Sequence, residues 1–173
     1  MQSRRLLLVR HARAEQGGAT DAERALTEEG TQAAEALGSW LGSWLGDRQL
    51  RPDQALVSAA LRAVETWEGL ARGAGWDLEP TLSQPLYSAE PETALDLVRE
   101  VDAGAGTVVL VGHNPTVGSM AQLLDDGEGD EAAGTSLATS GFPPGAVAVL
   151  EHDGEWADLA WGGARLAAYR SGR

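Results

Sequence analysis

A chain of 173 residues with a net charge of −13, 43% apolar residues and no cysteine is long enough for one well-packed domain, 1–173, of ordinary globular composition. The charge disfavours nucleic acid and anionic membrane as partners, and the missing thiols exclude a disulfide framework, a thiolate metal centre and a cysteine nucleophile. No apolar run approaches the roughly 20 residues of a membrane-spanning helix, and the apolar stretch behind the charged start is too short for a leader, so a cytoplasmic protein is expected.

The first predicted element is a strand over Leu6-Leu7-Leu8-Val9, four consecutive apolar residues of the kind that fill a strand buried on both faces. It ends in Arg10-His11, a cation and an imidazole at the strand's carboxyl end, where open α/β sheets bind ligands. Glu15 to Arg24 is polar and rich in small residues, and it reads as a loop over that end. Thr27 is a candidate N-cap with Glu28 and Glu29 in the first turn. Ala33, Leu37, Trp40, Leu41, Trp44 and Leu45 then follow at helical spacing, up to a stop at Gly46-Asp47. Trp40 and Trp44 are read as packing residues rather than a cofactor platform.

Gln54 to Ser58 is a second short strand. It runs into a helix from Ala59 with Leu61, Val64, Trp67, Leu70 and Ala71 on one side, closed by Gly73 and Gly75. Leu78 to Leu86 is irregular or weakly extended, and Ser88 or Glu90 with Pro91 opens a helix through Val98. Thr107 to Gly112 repeats the opening pattern, an apolar run ending in His113. Asn114 is a candidate N-cap, Pro115 a first helical residue, and Val117, Met120, Leu123 and Leu124 the buried stripe of the helix behind them. Asp125 to Glu131 is a solvated acidic loop. Gly145 to Leu150 and Trp156 to Trp161 around Asp153-Gly154 predict a β-hairpin with His152 at its exposed tip.

Strands alternating with helices predict an α/β fold, a mostly parallel central sheet flanked by helices on both faces, with a C-terminal β-hairpin. Three parallel strand ends placed side by side would gather Arg10, His11, Arg62 and His113. Two arginines beside two histidines repel a metal cation and suit an oxyanion, with the helix start at Asn114 adding its positive dipole end. All thirteen basic residues are arginine, and guanidinium forks match phosphate oxygens in pairs.

LVRHARA at 8–14, RALTEEG at 24–30, SAALRAVET at 58–66 and VGHNP at 111–115 together resemble the histidine phosphatase superfamily (phosphoglycerate mutase-like), and within it the phosphohistidine phosphatases of the SixA type. The resemblance runs in order over residues 4 to 120, with Arg-His-Ala in place of the family's usual Arg-His-Gly. It implies that His11 is the nucleophile and forms a phosphohistidine intermediate that water hydrolyses. Arg10, Arg62 and His113 would hold the phosphoryl oxygens, with Asn114 and Arg24 in the substrate-binding set. Whether Arg13 and Arg24 meet substrate or solvent is open at this point. Ser58 and Thr66 are expected to fix the loop and helix. No cofactor and no metal is implied, and the implied partner is a phosphohistidine-bearing signalling or phosphotransfer protein.

Many relatives carry a carboxylic acid after the third strand to protonate the leaving group. Here Ser88 stands in its expected place, with Glu90 and Glu92 nearby. A phosphoester needs a positioned acid, worth about 10²–10⁴-fold, whereas a phosphoramidate bond to imidazole is labile enough to take its proton from solvent. The departure favours phosphohistidine, and the short segment between the second and fourth motifs favours an open cleft. The alternatives are a small-molecule phosphomonoesterase, a phosphoglycerate mutase, and a non-catalytic phosphate-binding module.

Overall fold

The computed structural model describes residues 2–172. Its sheet has six strands in the order β3-β2-β4-β1-β5-β6. β1 (Arg4–Arg10), β2 (Gln54–Ser58), β3 (Thr81–Ser83) and β4 (Thr107–Gly112) run parallel. β5 (Val147–His152) pairs antiparallel with β1, and β6 (Arg165–Arg170) antiparallel with β5. The register sets Arg10 beside Gly112 and Val111 beside Val57, so the carboxyl ends of β1, β4 and β2 lie at one edge.

The apolar run of β1 is continuous because both faces of the sheet are covered. Leu6 and Leu8 pack under α3 (Pro91–Arg99), α4 (Thr116–Leu124) and α5 (Glu131–Ser140). Leu7 and Val9 pack under α1 (Glu28–Gly46) and α2 (Leu61–Ala74). Each fully buried leucine contributes on the order of 2 kcal/mol, which fixes the direction of β1 and hence the place where Arg10 and His11 emerge.

α1 begins where its sequence says, with Thr27 Oγ1 accepting from the Gly30 N–H at 2.9 Å. α1 and α2 approach closely because small residues face each other. A Cβ on Gly73 would lie 2.0 Å from the Glu35 carbonyl oxygen, so Gly73 is a contact point inside α2 and not its stop. Gly75, at φ +71°, ends that helix. Trp40 and Trp44 are half-buried at the margin of this packing, beneath Arg170 and Arg48.

Several expectations are corrected. The second hairpin strand is not Trp156 to Trp161 but Arg165–Arg170, and Trp156–Asp158 is a 3-10 turn. Trp156 drops into the core, where its indole N–H donates to the Ala105 carbonyl at 2.7 Å, and this takes the chain off the sheet. His152 closes β5 half-buried, its ring nitrogens facing the carbonyls of Gly163 and Glu155, and not at an exposed tip. α5 was not foreseen; its buried residues are Ala133 and Leu137, too few for a recognisable stripe. Leu61 and Leu123 are exposed at 37% and 47%, while Arg62 and Ala121 take the inward positions. α4 starts at Thr116, one residue after the expected Pro115. No helix of the described residues is long and apolar enough to cross a membrane.

Candidate active site

The chain leaving β1 is pinned from two sides. The His11 N–H donates to the Gly112 carbonyl at 3.0 Å. The Ala12 N–H donates to Thr66 Oγ1 at 3.0 Å, and that hydroxyl donates to the Arg62 carbonyl at 2.6 Å. Thr66 therefore fastens the residue after His11 to the helix that carries Arg62. The His11 ring is half-buried, and its Nδ1 lies 2.8 Å from the Ala12 carbonyl. A carbonyl oxygen only accepts, so Nδ1 carries the proton and the lone pair of the neutral ring is on Nε2.

His113 leaves β4 beside it, with ring centroids 5.2 Å apart and planes tilted by 56°. Ser58, fully buried at the end of β2, holds His113 Nε2 at 2.7 Å. His113 Nδ1 is buried with no hydrogen-bond partner among the described residues, and Arg10 Nε is in the same condition. Buried polar atoms are normally satisfied; His113 Nδ1 belongs to the ring beside His11 and Arg10 Nε to the residue before it, and both are suited to an anion's oxygens. Arg10 Nη1 donates to the Phe142 carbonyl at 3.0 Å, and Asn114 Nδ2 donates to the same carbonyl at 2.8 Å. Asn114 Oδ1 accepts from the Gly118 N–H at 3.1 Å, so it caps the first turn of α4 from two residues before that helix.

Arg62 is 7% exposed. Its Nη1 donates to the Asp21 carbonyl at 2.9 Å and its Nη2 to Asp21 Oδ2 at 3.1 Å. Tyr87 O–H also donates to Asp21 Oδ2, and its ring stands edge-on to His113 at 5.7 Å. Arg24 is held by the Glu15 carbonyl at 2.7 Å and by Asp21 Oδ1 at 2.9 Å. Arg13 is exposed and paired with Glu29. Glu92 accepts from the Trp161 indole N–H at 2.7 Å, and Glu90 lies exposed before α3. Thus Arg10, His11, Arg62 and His113 converge as their strand ends require. Asp21 and Tyr87 join them without a sequence signal, because two short 3-10 turns deliver them.

Burial pushes His11 down to about 4, reinforced by Arg62, Arg10 and Arg24 and opposed by the bond to Ala12. Desolvation thus outweighs the neighbouring guanidinium groups. Burial likewise pushes His113 down to about 4, followed by the His11 charge and Arg62. The Tyr87, Arg24 and Arg62 hydrogen bonds hold Asp21 well below the usual carboxylate range, and Asp21 in turn raises Tyr87. Both imidazoles are neutral at pH 7, Asp21 is ionised and Tyr87 is protonated.

The expected outcome of an NMR titration is a midpoint near pH 4 for the rings of His11 and His113; a midpoint near 6.5 for either would contradict this geometry. The unfolded histidines take up protons near pH 6.5, before the folded ones do. The stability these residues contribute is therefore full above about pH 6.5 and is lost as pH falls towards 4.

A model of the histidine phosphatase superfamily, branch 1, matches residues 6–86. An uncharacterized protein of Mycobacterium tuberculosis, Rv1276c, is 34% identical over 164 residues, 93% of this chain and 98% of its own. A solved structure from Nakamurella multipartitia, described as a "putative phosphohistidine phosphatase SixA", is 32% identical with a TM-score of 0.82, covering 98% of this chain and 96% of its own. A second, from Agrobacterium tumefaciens and described in the same words, is 30% identical with a TM-score of 0.76, covering 96% and 97%.

Proposed function

Since the chain belongs to the histidine phosphatase superfamily, we propose that it hydrolyses phosphohistidine on a protein, with His11 carrying the phosphoryl group between two displacements. The observation that carries this reading is the His11 ring, neutral at pH 7 with Nδ1–H bound to the Ala12 carbonyl and the Nε2 lone pair left for phosphorus. In the first step His11 Nε2 forms a bond to phosphorus while the bond from phosphorus to the substrate imidazole breaks, and the departing ring takes its proton from water. In the second, water attacks phosphorus, the His11–phosphorus bond breaks, and phosphate leaves with His11 restored. Arg10, Arg62 and His113 Nδ1–H meet the equatorial oxygens, where charge is held through the transition state. Ser58 Oγ lies 2.7 Å from His113 Nε2, and a hydroxyl that donates there leaves the His113 proton on Nδ1, the nitrogen this reading turns to the phosphoryl group.

The carboxylates support this substrate class. Asp21, the acidic residue bonded to the site's arginines, is held ionised and has no proton to give. Glu92 is committed to Trp161, and Glu90 lies exposed. An alkoxide leaves poorly without a positioned acid; an imidazole does not need one. The implied partner is a protein bearing phosphohistidine, presented to histidines that are half-buried at the sheet edge.

The test compares kcat/KM on a phosphohistidine-bearing protein and on a sugar phosphate, for wild type, Glu90→Gln and Glu92→Gln. The phosphoramidate is expected to be the better substrate, with both variants close to wild type on it. If the sugar phosphate is better and one of the variants loses about 10²-fold or more on it, a positioned acid exists, and a phosphomonoesterase replaces this reading.

A further inference from the structure

We propose that Asp21 is a positioning residue of this site, which holds the Arg62 guanidinium in the orientation that meets phosphoryl oxygens and ties it to Tyr87 and Arg24. The inference rests on the phosphoryl-transfer reading of the site and goes beyond it, because Asp21 lies outside the set of groups placed on the phosphoryl oxygens.

Arg62 is the site's most deeply buried cation, with its side chain 9% exposed. A buried guanidinium must be bonded on the side away from its ligand, or it turns to find partners elsewhere. Asp21 supplies that support twice, through its backbone carbonyl to Nη1 and through Oδ2 to Nη2. Two bonds from one residue fix the plane of the fork and not merely its position. They use two of the five guanidinium N–H groups, so the fork keeps further donors for an oxyanion.

The same carboxylate fastens one further segment and closes its own turn. Oδ2 also accepts from Tyr87 O–H, and Oδ1 from Arg24 Nη1 at 2.9 Å. Asp21 sits in the 3-10 turn Asp21–Glu23, Arg62 in α2, and Tyr87 in the 3-10 turn Pro85–Tyr87. Three segments far apart in sequence thus meet on one side chain beside the two histidines. An ordinary exposed ion pair contributes little. This one differs because its cation is buried, while the carboxylate is 52% exposed and bonded on both oxygens.

The experiment uses the full chain as Asp21→Ala, Asp21→Asn, Arg62→Ala and the double variant, read by kcat and KM on phosphohistidine protein and by the affinity for orthovanadate. Asp21→Ala is expected to lower kcat roughly 10-fold or more, with a smaller change in KM, and to weaken vanadate by a similar factor, because a small misplacement of a transition-state contact is costly. Asp21→Asn keeps the shape and the backbone carbonyl and is expected to fall between Asp21→Ala and wild type, so it serves if the alanine variant folds poorly. In the Arg62→Ala background, removing Asp21 is expected to add nothing further.

A wild-type kcat in both Asp21 variants, tighter vanadate binding, or the same loss with and without Arg62 would each overturn the inference. The last would mean that Asp21 acts on something other than Arg62. A wild type that binds vanadate without turning over phosphohistidine overturns the substrate reading alone, and the coupling is then judged on vanadate. A wild type that binds no vanadate overturns both.

Discussion

His11→Ala is expected to lose turnover by about 10³-fold or more while keeping its fold, as removal of a covalent nucleophile does. The ring is half-buried beyond the last residue of β1, and the bonds that order this part of the chain are made by backbone groups: the His11 N–H to Gly112 and the Ala12 N–H to Thr66. Alanine keeps both. Circular dichroism and the melting temperature should therefore stay near wild type as activity disappears. Rapidly quenched wild-type enzyme should carry phosphate on His11, and on Nε2 rather than Nδ1, because Nδ1 is bonded to the Ala12 carbonyl. Phosphate on Nδ1 of His113 would show that the two histidines exchange roles, since there Nε2 is the nitrogen held by Ser58.

That the place of His11 just beyond a strand end is legible in the sequence reflects how parallel sheets are built. A strand covered on both faces must be apolar throughout, and its last residue must then carry any polar group. Leu6 to Val9 before Arg10-His11, and Val108 to Val111 before Gly112-His113, follow that pattern, and β1 and β4 end where the runs do. α1 was legible because capping and periodicity coincide on Thr27 and the residues behind it. β6 was not, because its buried residues are only Leu166 and Ala168, and with Ala167 between them the alternation is weak. The tryptophans of 156–161 formed a louder pattern, yet Trp156 obeys a core contact and not a sheet.

The site divides along the same line. Arg10, His11, Arg62 and His113 stand at element ends, whose positions periodicity sets. Asp21 and Tyr87 come from 3-10 turns in long connections, and nothing in their local sequence says which way those connections fold. The gap left by the expected acid led to Ser88, Glu90 and Glu92. The residue of that segment that reaches His113 is Tyr87, one position before Ser88.

Arg62→Lys is expected to behave like Arg62→Ala, with both losing about 10²–10³-fold in kcat/KM, the usual consequence of removing a preorganised donor to a developing oxyanion. Arg62 makes its two bonds to Asp21 through separate nitrogens, with the guanidinium carbon 5.9 Å from the Tyr87 ring. That leaves the rest of the fork for phosphoryl oxygens. An ammonium presents its three donors from one nitrogen and cannot span Asp21 and a phosphate in the same way. Loss of fold is not the expected cause, because the Asp21 side chain is 52% exposed and water can replace the missing guanidinium there. The lysine variant should therefore melt near wild type and lie within about threefold of alanine in kcat/KM. A lysine variant with near wild-type turnover would show that a point charge suffices at this position, and the two-pronged contact would then not be what stabilises the transition state.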